Sequence, residues 1–188
     1  EDQPKREQHI NRIKSSVSHL TEILEEFLSV GKLEDGKLEI HPTEFSIQDF
    51  IQDILTDFTT YAHPIRLDLV EDFTCFQDAS ILRKVIFNGL SNALKFSQKE
   101  VVLRVLRRDE FVELCIVDQG IGISEEDQKH LFERFFRGGN ASIIPGTGLG
   151  LHLMDRYMRL LGGELKLSSV LGQGTTLHIS LPRLSYAN

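Results

Sequence analysis

The 188-residue sequence lacks the features of a membrane-spanning, a disulfide-bonded or a nucleic-acid-binding protein. No apolar run approaches the roughly 20 residues needed to span a bilayer, and residues 1–8, EDQPKREQ, do not resemble a signal peptide. Only two cysteines occur, without CxxC spacing, which indicates buried thiols in a reducing environment. No run of Lys or Arg offsets the net charge of −7, which disfavours binding to nucleic acid and direct contact with a membrane. We therefore expect a cytoplasmic protein, or the cytoplasmic part of a membrane-anchored one.

A regular apolar pattern near the start of the chain predicts one long helix over residues 4–30. Pro4 suits the first turn of this helix and Gly31 suits its end. Apolar side chains recur in a 3-4-3-4-3 spacing at Ile10, Ile13, Val17, Leu20, Leu24 and Phe27. Such a narrow seam is typical of a coiled coil or helical bundle, and its burial would contribute roughly 9–18 kcal/mol before association entropy is subtracted. We therefore expect self-association as a homodimer through this helix.

A polar connector follows the helix and predicts a domain boundary, with domains at 1–40 and 41–188. Ser46 and Asp78 are placed to cap helices. The predicted elements are a strand at 37–41, helices at 46–61, 78–97 and 150–161, a hairpin of strands at 101–106 and 111–117, and strands at 65–70, 164–170 and 175–181. Helices interleaved with paired strands favour an α+β fold: a two-layer sandwich of a mixed β-sheet with helices on one face.

Residues 125–148 form a weakly patterned segment, with a short helix expected around Phe132. Long irregular stretches in compact domains are commonly functional lids, and this segment is predicted to be mobile without a ligand. Gly162 and Gly163 are predicted to stop the helix that follows.

The stretch NGLSNALKFS, residues 88–97, carries three polar side chains on one helical face. Asn88, Asn92 and Lys95 stand at i, i+4 and i+7. Magnesium on a nucleotide takes only one or two protein oxygens, so an Asn carbonyl suffices, and Lys95 supplies positive charge. The alternative is an ordinary solvated helix face.

Two glycine-containing stretches could hold the rest of a nucleotide. In DQGIGI, residues 118–123, the Asp118 carboxylate can accept a hydrogen bond from the exocyclic amine of adenine but not from the carbonyl of guanine. In PGTGLGL, residues 145–151, glycines run into a helix whose main-chain N–H groups suit phosphates. The alternatives are an ordinary turn and a flexible loop before a helix. A further stretch, GQGTT at 172–176, is predicted to be a hairpin turn.

Four stretches resemble, in order, the N, G1, F and G2 boxes of sensor histidine kinases: NGLSNALKFS, DQGIGI, LFERFFR at 131–137, and the GTGLGL part of PGTGLGL. The heptad helix resembles the second helix of that family's dimerisation and phosphotransfer domain. The resemblance implies an ATP-binding catalytic domain of the fold shared with gyrase, Hsp90 and the mismatch-repair ATPases. It also implies ATP and Mg²⁺ as cofactors and the receiver domain of a response regulator as a partner.

The resemblance implies a role for each matching residue. Asn92 would bind Mg²⁺ with help from Asn88, Lys95 and Arg137 would face the phosphates, and Asp118 would recognise adenine. The remaining implied ATP-binding residues are Phe96, where the family often has Tyr, with Gly120, Gly122 and Ile123 around the base and Gly146, Thr147, Gly148, Leu149, Gly150 and Leu151 along the phosphates. Phe132, Phe135 and Phe136 would anchor the lid or form a core cluster.

Position 88 separates kinase from ATPase within the superfamily. In the ATPase relatives a glutamate there acts as general base on water, a role that asparagine cannot take. The family's H box occurs nowhere in these residues, and His9 and His19 do not match it. We therefore expect a protein-histidine kinase that transfers the γ-phosphate to a histidine outside this sequence; the alternatives are a catalytically silent nucleotide-binding and dimerisation module, or a hydrolytic ATPase.

Overall fold

The computed structural model describes residues 3–35, 38–59, 61, 63–139, 144 and 146–182. It divides the chain into two compact units, Glu1–Glu39 and Ile40–Asn188. Among the described residues, no helix combines the length and the apolar character needed to cross a membrane.

The first unit is a single helix, α1 (Gln3–Glu34). It continues one turn past the predicted end, because Gly31 does not adopt a positive φ and its carbonyl accepts a helical hydrogen bond from the Asp35 N–H at 3.0 Å. The seam side chains are 50–64% exposed in the single chain. An exposed apolar seam of this length is the surface that a partner helix would cover.

The second unit contains seven strands and four helices among its described residues. In chain order they are β1 (Thr43–Ser46), α2 (Ile47–Thr56), β2 (Ile65–Leu69), β3 (Thr74–Gln77), α3 (Ala79–Phe96), β4 (Val101–Arg107), β5 (Phe111–Asp118), α4 (Glu125–Gln128), α5 (Gly150–Leu160), β6 (Glu164–Val170) and β7 (Gly174–Pro182).

Five strands form the main sheet, in the order β2-β4-β5-β7-β6. Only β2 and β4 are parallel, so the sheet is mixed, and β1 pairs with β3 in a separate two-stranded sheet. Alternate side chains on β5 and β7 are buried towards the helices. A Cβ atom on Gly89 of α3 would lie 2.5 Å from Ile116 Cδ1 and 3.1 Å from Leu177 Cδ2, so the helix lies directly on the sheet. The predicted α+β fold is confirmed.

Caps and stops predicted from the sequence set the ends of these helices. Ser46 Oγ accepts the Asp49 N–H at 3.1 Å, and Asp78 Oδ1 accepts the Ile81 N–H at 3.0 Å. Gly162, at φ +70°, ends α5. The predicted hairpin is confirmed as β4 and β5, which pair antiparallel.

Several predicted boundaries are wrong. Residues 38–41 are not a strand, and residue 37 lies outside the described residues; the strand begins at Thr43, where β3 supplies its partner. Helix α2 ends at Thr56 rather than at 61, because the hydroxyls of Thr56 and Thr59 bond to main-chain carbonyls three residues back and compete with the helix. The short helix is α4, capped by Ser124, rather than a helix around Phe132.

Candidate functional site

Two segments that the sequence singled out face each other between α3 and the start of α5. A Cβ atom on Gly146 would lie 2.9 Å from Lys95 Nζ, and one on Gly150 would lie 3.9 Å from Asn92 Nδ2. The polar face of α3 therefore borders the glycine-rich stretch.

The amide side chains on α3 are available to such a ligand. Asn88 and Asn92 are half-buried, and none of the described residues makes a hydrogen bond to either side chain. Helix α5 starts without a side-chain cap, because Leu149 stands at its N-cap position. Its first N–H groups therefore need another acceptor, such as an anion.

Asp118 ends β5, and two main-chain groups hold its carboxylate. The Gly120 N–H donates to Asp118 Oδ1 at 2.7 Å, and the Thr175 N–H donates to the same carboxylate. Burial raises the pKa of Asp118 above its ordinary value, and these two hydrogen bonds only partly offset that effect. The carboxylate is thus oriented and half-buried, as recognition of a polar group on a base requires.

Close main-chain contacts join the DQGIGI stretch to α3. The Ile121 N–H donates to the Phe96 carbonyl at 3.2 Å. A Cβ atom on Gly120 would lie 2.3 Å from that carbonyl oxygen, so only glycine fits. Ile123 is tied to β6 through its N–H, which donates to Ser169 Oγ at 2.9 Å.

The stretch GQGTT contributes more than the predicted turn. It does connect β6 to β7. Gly174, the first residue of β7, has φ +118°, and a Cβ atom there would lie 2.1 Å from the Asp118 carbonyl oxygen. Gly122 has φ +63°, and a Cβ atom there would lie 2.0 Å from the Val170 carbonyl oxygen. The available signal was Gly174 itself, because a glycine inside a strand often marks close approach of another backbone. Thr175 and Ser169 were missed as supports of the site.

Residues 132–136, after α4, lie against the glycine-rich stretch and the start of α5. Gly148, at φ +75°, has the Phe136 carbonyl oxygen 2.7 Å from the position of a Cβ atom. Phe135 is 63% exposed with φ +61°, the one positive φ among the described non-glycine residues. His152 Nδ1 lies 2.9 Å from the Phe132 carbonyl oxygen, which fits donation from the Nδ1–H tautomer. Exposed Phe135 does not belong to a core cluster.

Comparison with known proteins identifies this arrangement. Residues 77–185 match the family described as "Histidine kinase-, DNA gyrase B-, and HSP90-like ATPase". The chain belongs to that family.

Relatives of this histidine kinase-type ATPase domain confirm the resemblance stated from the sequence. The chain is 34% identical to the sensor protein GacS of Pseudomonas syringae pv. syringae, over 95% of this chain and 21% of GacS. Its fold matches full-length ShkA, solved in complex with AMPPNP, with a TM-score of 0.83 at 22% identity over 96% of this chain and 39% of ShkA. It also matches the mycobacterial sensor histidine kinase MprB, with a TM-score of 0.66 at 29% identity over 76% of this chain and 97% of that structure. The chain spans about a fifth of the length of the curated relatives it matches.

In this histidine kinase-type ATPase domain, the predicted site residues divide into two groups. Asn92 and Lys95 border the stretch 146–150. Asp118 and Gly122 meet β6, β7 and the turn between them, while Gly120 packs against the Phe96 carbonyl at the end of α3. Leu149 is buried, and its carbonyl accepts the Leu153 N–H at 2.8 Å, so its side chain belongs to the core. Thr147 Oγ1 accepts the Leu149 N–H at 3.1 Å, and Leu151 is a half-buried residue of α5.

Arg137 directly follows Phe136, whose carbonyl oxygen approaches Gly148. Its guanidinium donates a hydrogen bond to the main-chain carbonyl of Ile144, close to the start of the glycine-rich stretch. The side chain is exposed. The position of Arg137 therefore depends on a surface segment outside the helices and strands. Asn88, Asn92 and Lys95, in contrast, have the fixed spacing of one helix, α3.

Proposed function

We propose that this domain binds Mg·ATP and transfers the γ-phosphate to a histidine of another protein segment, as the catalytic part of a two-component sensor. One observation carries the proposal: Asn92 and Lys95 on α3 border the glycine-rich start of α5. Positive charge, an amide oxygen and the N-terminus of a helix would thus meet where a triphosphate would lie. The names of the relatives, a sensor protein and a protein solved with AMPPNP, support the same function.

The residues on α3 fit a magnesium ion. Magnesium binds oxygen ligands and keeps several waters, so it needs only one or two protein groups besides phosphate. Asn92 would hold it through its amide oxygen with Asn88 assisting, since neither side chain has a hydrogen-bond partner among the described residues. When bound, the ion would neutralise charge on the transferring phosphoryl group.

The base would lie against the main-chain contacts around Asp118. An ionised Asp118 carboxylate can only accept hydrogen bonds, and adenine offers a donor at the position where guanine offers a carbonyl. Gly120 and Gly122 pack against the carbonyl oxygens of Phe96 and Val170, which holds the main chain next to Asp118 in place. This end of the site would select the nucleotide, while the α3 end would align its phosphates, with Lys95 and Arg137 facing their charge.

Asn88 favours transfer to histidine over hydrolysis. An imidazole nitrogen of the acceptor would attack the γ-phosphorus while the bond to the β–γ bridging oxygen breaks, releasing ADP. This attack needs no general base on the enzyme, because neutral imidazole already has a free electron pair. Asparagine at position 88 cannot activate water, so the nucleotide would be preserved until an acceptor arrives.

The whole-protein roles follow from the same assignment. We propose that residues 1–40 are the second helix of a dimerisation and phosphotransfer hairpin with its linker, and that residues 41–188 are the catalytic domain. The exposed apolar seam of α1 would pair with a second copy. The phosphorylated histidine would then supply the receiver domain of a response regulator, in the cytoplasm.

The test is phosphotransfer to a supplied acceptor. The chain is mixed with radiolabelled ATP, Mg²⁺ and a separate helical domain that carries an H box. We expect label on the supplied domain, none on the chain alone, and loss of labelling in Asn92→Ala but not in the same substitution at Asn11. Tight ATP binding without labelling would indicate the silent module, and steady phosphate release would indicate an ATPase.

A further inference from the structure

A second group of ligand-type side chains lies on the sheet face opposite α3 and α5. Glu113 and Cys115 stand two residues apart on β5, so both point away from the helices. His178 on β7 is the register partner of Cys115. The three side chains therefore meet on one face across two neighbouring strands.

The distances within this group match those around a small metal ion. Cys115 Sγ lies 3.4 Å from His178 Nδ1 and 3.8 Å from Glu113 Oε1, and the three ligand atoms all lie within 4.8 Å of one another. Bonds of about 2.3 Å to sulfur and about 2.0–2.2 Å to nitrogen and oxygen put tetrahedral ligand atoms roughly 3.3–3.7 Å apart. Small side-chain rotations would bring all three to one ion.

We propose that Glu113, Cys115 and His178 bind a divalent transition metal of the zinc type, with a solvent molecule in the fourth position. A thiolate and an imidazole favour Zn²⁺ over Mg²⁺ or Ca²⁺, which prefer oxygen ligands. The site is therefore distinct in chemistry from the proposed magnesium site on α3. It lies on the other face of the sheet.

The surrounding charges allow a cation here. Arg108 donates to Glu113 Oε2 at 3.4 Å, which leaves Oε1 on the side of Cys115 and orients the carboxylate as an outer-shell partner does. Arg104 and Lys166 face Cys115 and His178 from the neighbouring strands. Both cations already have an anionic partner: Arg104 pairs with Asp68 at 2.9 Å, and Lys166 pairs with Glu164 at 2.8 Å. Their repulsion of a bound metal is thereby reduced.

The proposal is tested with Zn²⁺ and Co²⁺ alone, on the full chain without nucleotide. We expect Zn²⁺ binding by calorimetry, and a Co²⁺ complex with a thiolate charge-transfer band and the visible bands of a four-coordinate ion. Cys115→Ser and His178→Gln should each weaken Zn²⁺ binding by more than about 100-fold, since a direct ligand contributes at least as much as an outer-shell partner. Cys75→Ser is the matched control, because Cys75 is also buried but lies on β3.

A second readout separates loss of the site from loss of the fold. Zn²⁺ should raise the melting temperature of the unsubstituted chain and of Cys75→Ser, and should leave that of Cys115→Ser unchanged. ATP binding by Cys115→Ser should stay at the unsubstituted level and so report an intact domain. Zn²⁺ affinity that is the same with and without Cys115, or a Co²⁺ spectrum without the thiolate band, would overturn the proposal.

Discussion

The substitution Asp118→Asn should reverse the hydrogen-bonding character of the base end of the site. In the native domain the carboxylate accepts the main-chain N–H groups of Gly120 and Thr175, the former at 2.7 Å. An asparagine has one acceptor oxygen, and the Gly120 N–H would hold it at the position of Oδ1. Its NH₂ group would then point at the amine of adenine, so that two donors face each other.

The expected loss of ATP affinity follows from one charge-assisted hydrogen bond. Such a bond contributes about 1.5–3 kcal/mol, which corresponds to about 10- to 150-fold in the dissociation constant. The outward NH₂ group also complements the carbonyl of guanine, so GTP binding should improve in the same variant.

Calorimetric titration with ATP and with GTP, each with Mg²⁺, measures both effects. Asp155→Asn is the matched control, because Asp155 lies on α5 in a surface ion pair with Arg159. The reasoning is refuted if Asp118→Asn binds ATP as tightly as the unsubstituted domain and gains no affinity for GTP. Loss of both nucleotides would instead show that the carboxylate only supports the local backbone.

The same substitution predicts a change in stability with pH. Burial raises the pKa of Asp118 in the folded state above the ordinary 3.8, so the folded state holds its proton more tightly than the unfolded state. The folded domain should therefore lose stability as pH rises from 3.8 through the raised folded value. Asp118→Asn should lack this loss in denaturant titrations at a series of pH values.

Three further outcomes are expected. Asn88→Glu should supply a general base and raise steady phosphate release from ATP by about 10²–10⁴-fold over Asn88→Gln, measured by a coupled phosphate assay. Asp78→Ala should lower the free energy of unfolding by about 0.5–2 kcal/mol in denaturant titrations, since it removes the α3 cap. Burial alone would raise the pKa of Asp78, but its hydrogen bonds outweigh burial and lower the pKa below 3.8. The difference in the free energy of unfolding between native protein and Asp78→Ala should therefore shrink as the pH falls from 3.8 through the lowered folded-state pKa. Leu20→Lys should turn a dimer into a monomer in sedimentation runs while Ser15→Lys does not, because Ser15 is two residues from both Ile13 and Val17 and so stands opposite the seam in the heptad.

Local chemistry made most of the fold predictable from the sequence. Asp78 before an apolar-periodic stretch, Gly162 after another and the charged turn between β4 and β5 each act within a few residues. Strands β1 and β3 were not predicted in place, because each has four residues and their pairing joins Thr43 to Gln77 across the whole of α2 and β2. Such a short strand is specified by its partner rather than by its own pattern.

The candidate site was predictable only where side chains carry the signal. Asn88, Asn92 and Lys95 follow the helical period, so their common face can be read from their spacing. The contact of Gly174 with the Asp118 carbonyl involves main-chain atoms of two segments more than fifty residues apart. Every residue carries the same main-chain groups, so the sequence does not reveal such a contact directly. It reveals only the glycines that the close approach requires.

The main-chain wall around Asp118 has a consequence for inhibitor resistance. Gly120, Gly122 and Gly174 meet carbonyl oxygens at distances that no larger residue tolerates. A compound that binds these peptide groups and the Asp118 carboxylate would contact few atoms that a point mutation can change without also displacing the natural nucleotide. Resistance substitutions would therefore be expected among exposed side chains outside this wall rather than at its three glycines.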